Sequence, residues 1–343
     1  YFESNTFFRN DYREGLLMIQ KPMFSPQVEW LPPTEFPDLS RYDEIAIDLE
    51  TKDPDLKTKG TAATRGIGDV VGIAVAVSNW SGYYPIAHEN GPNLERKKVL
   101  GWFQDVLKTD ADKIFHNAMY DVIWLRRLGL TVHGTIIDTM IMSSIVDENR
   151  FRYDLNSVAF DYTGMKKNES VLQQSAKDWG IDPKAEMYKL PAMYVGAYAE
   201  RDAQLTLELW QELKKEILHQ DIEDIFNMET KLFPVLVDMR FLGVRVDADR
   251  AAYEKQRMVE EENRLLGAIY SETKQEVQIW AARSIAKVFD KLGLPYERTV
   301  KTGAPSFTKN FLSNHPHNIV QAIAKAREIN KAHTTFIDTI LKY

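Results

Sequence analysis

The chain has no cysteine among its 343 residues. That absence excludes disulfides, thiolate zinc sites and a cysteine nucleophile, so any metal must sit on oxygen or imidazole ligands. No apolar run approaches the roughly 20 residues that cross a bilayer, and the first residues lack the basic-then-apolar order of a signal peptide. A soluble, monomeric protein without a membrane partner is expected. Internal repeats and low-complexity tracts are missing too. The chain opens at Tyr1, and "YFESN" resembles a protease-site tag remnant, although Glu3 departs from the usual glutamine; it reads as a fragment.

What is present supports a sizeable core and more than one region, with 44% hydrophobic and 27% charged residues. The net charge of -7 argues mildly against nucleic acid, but the signs are segregated. Residues 1–250 carry 29 Lys+Arg against 40 Asp+Glu, and residues 251–343 carry 14 against 10. One part then gathers cations while the other suits a polyanion. A solvated acidic surface followed by a basic helix explains the same split.

Periodicity divides the chain further. After an irregular, Pro-rich lead, alternation predicts strands over 42–49, 70–77 and 82–87, an antiparallel meander. A helix over 94–107, a strand over 113–115, a helix over 118–128 and a strand over 131–137 follow in βαβ fashion. The sheet is therefore mixed. From Asp138 onward the signals are almost wholly helical. Gly164 is a helix stop, and Ser170 with Gln173 reads as a capping box. Helices are predicted over 190–218, 222–242 (ending at Gly243), 247–280 and 282–292, then a turn-rich "KTGAPS" and further helices.

In "IAIDLET" the strand period sends Ile45, Ile47 and Leu49 one way and Ala46, Asp48 and Glu50 the other. Two neighbouring carboxylates cost energy in a sheet interior unless something cationic collects them. Asp-x-Glu alone means little, since Asp221 and Glu223 repeat it between helices. In "HNAMYDVIWL" Asn117 and Asp121 share a helix face, as do Tyr198 and Asp202 in "YVGAYAERDAQ". Taken singly these read as a cap, a solvated acid and a packed Tyr. Taken together, four carboxylates on a central strand and two helices make an oxygen-only site for two hard cations such as Mg²⁺. Gly72, Ala74 and Ala76 share a face of the second strand, small enough to admit a helix or substrate. Asp138 and Asp154 read as helix N-caps, His116 and His133 as structural, and His315-Pro-His317 as a weak metal candidate.

The combination resembles the DnaQ-like 3′–5′ exonucleases of the ribonuclease H-like fold, in the Asp-Glu-Asp-Asp group with a tyrosine. Asp48, Glu50 and Thr51 match the first motif, Asn117, Tyr120 and Asp121 the second, and Tyr198 with Asp202 the third. "LFPVLVDMRFLGVRVD", "KTGAPS" and "AKAREINKAHTTFIDTIL" are similar to the thumb junction and thumb of family A DNA polymerases. The resemblance implies an α/β chain: a mixed sheet of antiparallel meander plus parallel strands, flanked by helices and followed by a mostly helical partial thumb. Residues 1–40 are then an irregular lead, 41–220 the exonuclease domain, and 221–343 a helical linker and partial thumb. Palm and fingers have no counterpart, so primer extension is not expected.

By the family pattern Asp48 bridges two Mg²⁺ or Mn²⁺ ions, Glu50 and Asp202 serve the water-side ion, and Asp121 the leaving-group side. Tyr198 aims the water, and Thr51, Asn117 and Tyr120 hold the 3′-terminal nucleotides. Arg327 and Lys331 match basic thumb positions that hold a primer-template duplex. The implied partners are a single-stranded DNA 3′ end, that duplex and the rest of a polymerase polypeptide. The implied setting is the cytoplasm of a bacterial or phage-infected cell, at the nucleoid during replication or repair. An RNA-trimming relative of ribonuclease D and a non-catalytic DNA-holding module remain as alternatives.

Overall fold

The computed structural model describes residue 26 and residues 28–342. The tag-like start and part of the Pro-rich lead lie outside the described residues. The chain divides into two compact units, one running to Gly243 and one from Val244.

The first unit is built on a five-stranded sheet in the order β3-β2-β1-β4-β5. Its strands are β1 (Glu44–Lys52), β2 (Asp69–Val77), β3 (Trp80–Pro85), β4 (Asp112–Phe115) and β5 (Ile136–Asp138). β1, β2 and β3 form the antiparallel meander, whereas β4 runs parallel to β1 and β5 parallel to β4. This places β1 at the centre, between the two kinds of pairing. Helices α1 (Leu56–Lys59), α2 (Arg96–Lys108) and α3 (Ala118–Arg127) follow within the sheet region, then α4 (Thr139–Val146), α5 (Leu155–Thr163), α6 (Ser170–Trp179), α7 (Gly196–His219) and α8 (Glu223–Leu242).

The two faces of the sheet feed two apolar clusters. Ile45, Ile47 and Leu49 point to one with α2 and α3, while Ala46 points to the other with α7. Register pairs Ala46 with Ala76, Asp48 with Ala74 and Glu50 with Gly72, so the small residues line the face carrying the acids. Gly72 is dictated by a close approach, because a Cβ there would stand 2.0 Å from the Tyr83 hydroxyl. Into this shallow face packs α7. Glu44 at the start of β1 accepts hydrogen bonds from Trp210 Nε1, Gln211 Nε2 and Lys214 Nζ at 2.9, 2.7 and 2.6 Å, which fixes the register of α7 along the strand. Asp202 lies twelve residues before Lys214, roughly 18 Å back at 1.5 Å per residue, a distance comparable to the rise of β1 from Glu44 to Glu50. One clamp thus delivers the start of α7 to the far end of β1.

Several sequence expectations need correction. The strand predicted over 131–137 shrinks to Ile136–Asp138, because Gly134 turns the chain at φ 74° and the backbone before it bends toward Lys113. Helix α7 begins at Gly196 rather than 190, after two single 3₁₀ turns. The predicted capping box gives way to Asn168, whose Oδ1 accepts from both the backbone and the hydroxyl of Ser170 at 3.1 and 2.6 Å. Asp138 and Asp154 are N-caps as expected, accepting from Met140 N and Ser157 N.

Lys113 is fully buried, and its ammonium donates to Thr109 O, Ala111 O and His133 O at 2.8, 2.7 and 3.0 Å. Burial lowers its pKa to about 8, against the charges of Asp112 and Asp110, which favour the ammonium. Lys113→Met should cost roughly 2–4 kcal/mol in urea unfolding, since buried carbonyls lose a charged donor. An unchanged midpoint would mean that the loop re-satisfies them by itself.

The second unit is helical: α9 (Ala248–Thr273), α10 (Ala282–Leu292), α11 (Lys309–Ser313), α12 (Asn318–Lys331) and α13 (Asp338–Lys342), with a π-helical turn at Ala332–Ile337. Asp247 caps α9 by accepting from Arg250 N. The helix ends at Thr273 rather than near 280, because Lys274 takes a left-handed conformation at φ 55°. "KTGAPS" forms part of a small hairpin, β6 (Glu297–Arg298) with β7 (Pro305–Ser306). Phe289 on α10 anchors the core among Tyr296, Phe307 and Phe311. His317 caps α12 and His315 packs on Phe289.

Candidate active site

The acids arrive from three elements. Asp48 and Glu50 lie two apart on β1, Asp121 in the first turn of α3, and Asp202 on the second turn of α7. Asp121 is tied to the strand directly, since its Oδ1 accepts from Leu49 N at 3.1 Å, the amide between the two strand acids. The start of α3 is held in turn by buried Asp138, which accepts from Asn117 N and Ala118 N at 2.9 and 2.8 Å. Because Asp138 caps this helix, the Asn117 side chain makes no capping bond and stays exposed beside the site, on a backbone at φ 69°.

Electrostatics show the acids acting on one another. Burial, then the charge of Asp202, push the Asp48 carboxyl up to about 7, against the pull of Lys167. Glu50 is raised by burial and then by Asp48 and Asp202. Burial and then Asp48 raise Asp121, while the Leu49 amide lowers it. Asp202 is raised by burial and held down by Lys167, whose Nζ lies 2.6 Å from its Oδ2. The Tyr198 phenol is raised well above its ordinary value by burial and by Asp202, so it remains protonated.

The substrate-side candidates fall into two groups. Thr51 and Tyr120 are brought together, with Tyr120 accepting from Thr51 Oγ1 at 2.5 Å and donating to Asp53 at 2.9 Å. Asp53 also accepts from Ala62 N and Thr61 Oγ1, which closes the loop after β1. Asp53 and Lys167 are the residues that motif spacing does not single out. His116 is structural, its Nε2 donating to Tyr153 O at 2.8 Å. Arg327 and Lys331 lie in the second unit, one turn apart on α12. Arg327 donates to Ile279 O and Phe307 O and stacks over Trp280, while Lys331 lines an open cavity of about 910 Å³ with Trp280, Lys325 and Phe336.

Among the described residues no three acidic or imidazole side chains already converge as a metal cluster. The donor set still fits divalent cations. It is all oxygen, Asp202 Oδ1 is buried with no well-formed hydrogen bond among the described residues, only the Tyr198 hydroxyl acting on it, and the Lys167 ammonium faces several mutually repelling carboxylates. No helix among the described residues is long and apolar enough to cross a membrane.

A family model described as a 3′–5′ exonuclease matches residues 36–218. A DNA-directed DNA polymerase of Pseudomonas phage M6 is 32% identical over 333 residues, covering 94% of this chain and 50% of that protein. DNA polymerase DpoZ of Acinetobacter phage SH-Ab 15497 is 26% identical, covering 88% and 49%, and DNA polymerase I of Pseudomonas aeruginosa is 27% identical, covering 88% and 33%. The chain thus spans about half the length of the phage relatives. A solved structure, the POL domain of Pol1 from M. smegmatis in complex with DNA primer-template and dNTP, shares the fold at a TM-score of 0.64 with 16% identity, over 87% of this chain and 46% of that one. With a match across more than half its length, this chain belongs to the 3′–5′ exonuclease family of family A DNA polymerases.

Proposed function

We propose that the chain removes nucleoside 5′-monophosphates from single-stranded or frayed DNA 3′ ends, as the proofreading part of a DNA-directed DNA polymerase. What supports this reading is that Asp48, Glu50, Asp121 and Asp202, carried by the central strand and two helices, raise one another's pKa values by repulsion. These four carboxylates would hold two Mg²⁺ or Mn²⁺ ions. When bound, such ions supply the charge that activates a water and stabilises the leaving 3′ oxygen. Tyr198, kept protonated by its surroundings, orients that water as a hydrogen-bond donor or acceptor rather than as a base. Exposed Asn117 and the Thr51–Tyr120 pair flank the acids, where a splayed terminal nucleotide can be hydrogen-bonded and stacked. The test is a comparison of single-stranded DNA, single-stranded RNA and blunt duplex, with products resolved by chromatography. Deoxynucleoside monophosphates released fastest from single-stranded DNA support the reading; preferred cleavage of RNA, or oligonucleotide products, would overturn it.

For the second unit the proposed partner is primer-template duplex. Arg327 is committed to two carbonyls and a ring, so Lys331 is the cleaner probe. Lys331→Ala should weaken duplex binding and lower the salt slope by about one, as expected for a single lost phosphate contact. Arg327→Ala should also lower the melting temperature. An unchanged salt slope in Lys331→Ala would leave that residue as a solvated face.

A further inference from the structure

The loop between α5 and α6 carries two adjacent lysines that do opposite things. Lys166 lies over the Phe160 ring at 4.1 Å. Lys167 turns inward, its side chain only 10% exposed, with Nζ 2.6 Å from Asp202 Oδ2 and 5.0 Å from the Tyr198 ring centroid. The loop is tied down on both sides, since Arg201 reaches Met165 Sδ at 3.0 Å and Asn156 contacts Lys167 N and Glu169 at 3.4 and 3.3 Å. An ordinary surface lysine keeps its ammonium in water, because desolvating it is costly. Here the ammonium is buried against one oxygen of a carboxylate whose other oxygen, among the described residues, has only the Tyr198 hydroxyl acting on it and makes no well-formed hydrogen bond. Asp202 therefore offers an incoming cation one weakly held oxygen and one that is already taken by an ammonium.

We propose that Lys167 is a resident cation of the acid cluster, holding Asp202 in the metal-free chain and surrendering it when a divalent ion binds. This rests on the metal reading of the acids and adds that metal binding at Asp202 is an exchange of ammonium for metal. The ammonium offsets repulsion among Asp48, Glu50 and Asp202 before the ion arrives, and the ion must displace a charge-assisted hydrogen bond to enter. Lys167 then sets how weakly the site holds metal in the absence of DNA.

The experiment is a Mn²⁺ titration of the full chain without DNA, followed by the paramagnetic resonance signal of free Mn²⁺, with a thermal melt of each metal-free protein. Lys167→Met should bind Mn²⁺ roughly 10- to 100-fold more tightly, since both a competing charge and its hydrogen bond to Asp202 are gone. Its metal-free form should melt lower, and Mn²⁺ should raise that melting temperature more than it does for the unmodified chain. Lys167→Arg keeps the charge and should stay within about 3-fold of the unmodified affinity. Should Lys167→Met fail to fold without metal, Lys167→Gln keeps a donor, removes only the charge, and should also bind more tightly. Equal or weaker affinity in the neutral variants would overturn the exchange and leave Lys167 as a support for Asp202. If neither the unmodified chain nor any variant binds Mn²⁺, the metal reading itself falls.

Discussion

Asp48→Ala is expected to lose exonuclease activity by on the order of 1000-fold while folding as well as the unmodified chain. The loss follows from position. Asp48 sits on the central strand and interacts with Asp202, Glu50 and Asp121, so in the proposed site its charge would serve the cations that these acids collect. Removing one unit charge about 4 Å from a cation at an effective dielectric near 20 forfeits about 4 kcal/mol, and about 1.4 kcal/mol is tenfold in rate. The retained fold follows from what Asp48 lacks. Burial and neighbouring charges act on it, no hydrogen bond does among the described residues, and Ala removes repulsion that the metal-free chain bears. The melting temperature of the metal-free variant should therefore be unchanged or higher, the usual trade between stability and a strained site. Single-turnover digestion and a thermal melt of the same preparation check both halves. Robust activity, or a collapsed melt, would remove Asp48 from the role assigned to it.

Tyr198→Phe should keep metal binding and substrate affinity but lose rate by roughly 10- to 1000-fold, as expected when a positioning contact is removed. The phenol lies one helical turn from Asp202, and burial with that neighbouring charge keeps it protonated, which makes proton abstraction by it ineffective. Phe preserves the ring over which Lys167 sits, so packing is conserved and only the hydroxyl is tested. The loss should be smaller than that of Asp48→Ala. Digestion at saturating Mn²⁺ at the unmodified rate would show that Tyr198 only packs.

The strand acids and both helix pairs were legible because periods of two and four residues are local facts. Once "IAIDLET" is a strand and "YVGAYAERDAQ" a helix, Asp48 must share a face with Glu50, and Tyr198 with Asp202. The small face of Gly72, Ala74 and Ala76 was legible for the same reason, and α7 packs into it. Lys167 was not legible. In "MKKNES" nothing distinguishes it from Lys166, and only the path of the loop past α7 turns one ammonium in and the other out. Asp138 illustrates the intermediate case. Its capping of α4 is local, but its grip on Asn117 N and Ala118 N depends on β5 lying beside β4, a tertiary relation that no spacing encodes. The end of α9 is not legible, because the break comes from a left-handed Lys274 that composition does not announce.

Four carboxylates that collect divalent ions would make this chain a metal-dependent nuclease working from the 3′ end. One single-stranded DNA, labelled either at its 5′ or at its 3′ end and digested with Mg²⁺ or with chelator in excess, decides the matter. With Mg²⁺ the 5′-labelled strand should give a shrinking ladder and the 3′-labelled strand should release labelled mononucleotide at once, and neither should occur with chelator. Digestion that persists in chelator, or a ladder that shrinks from the 5′ end, would contradict that assignment.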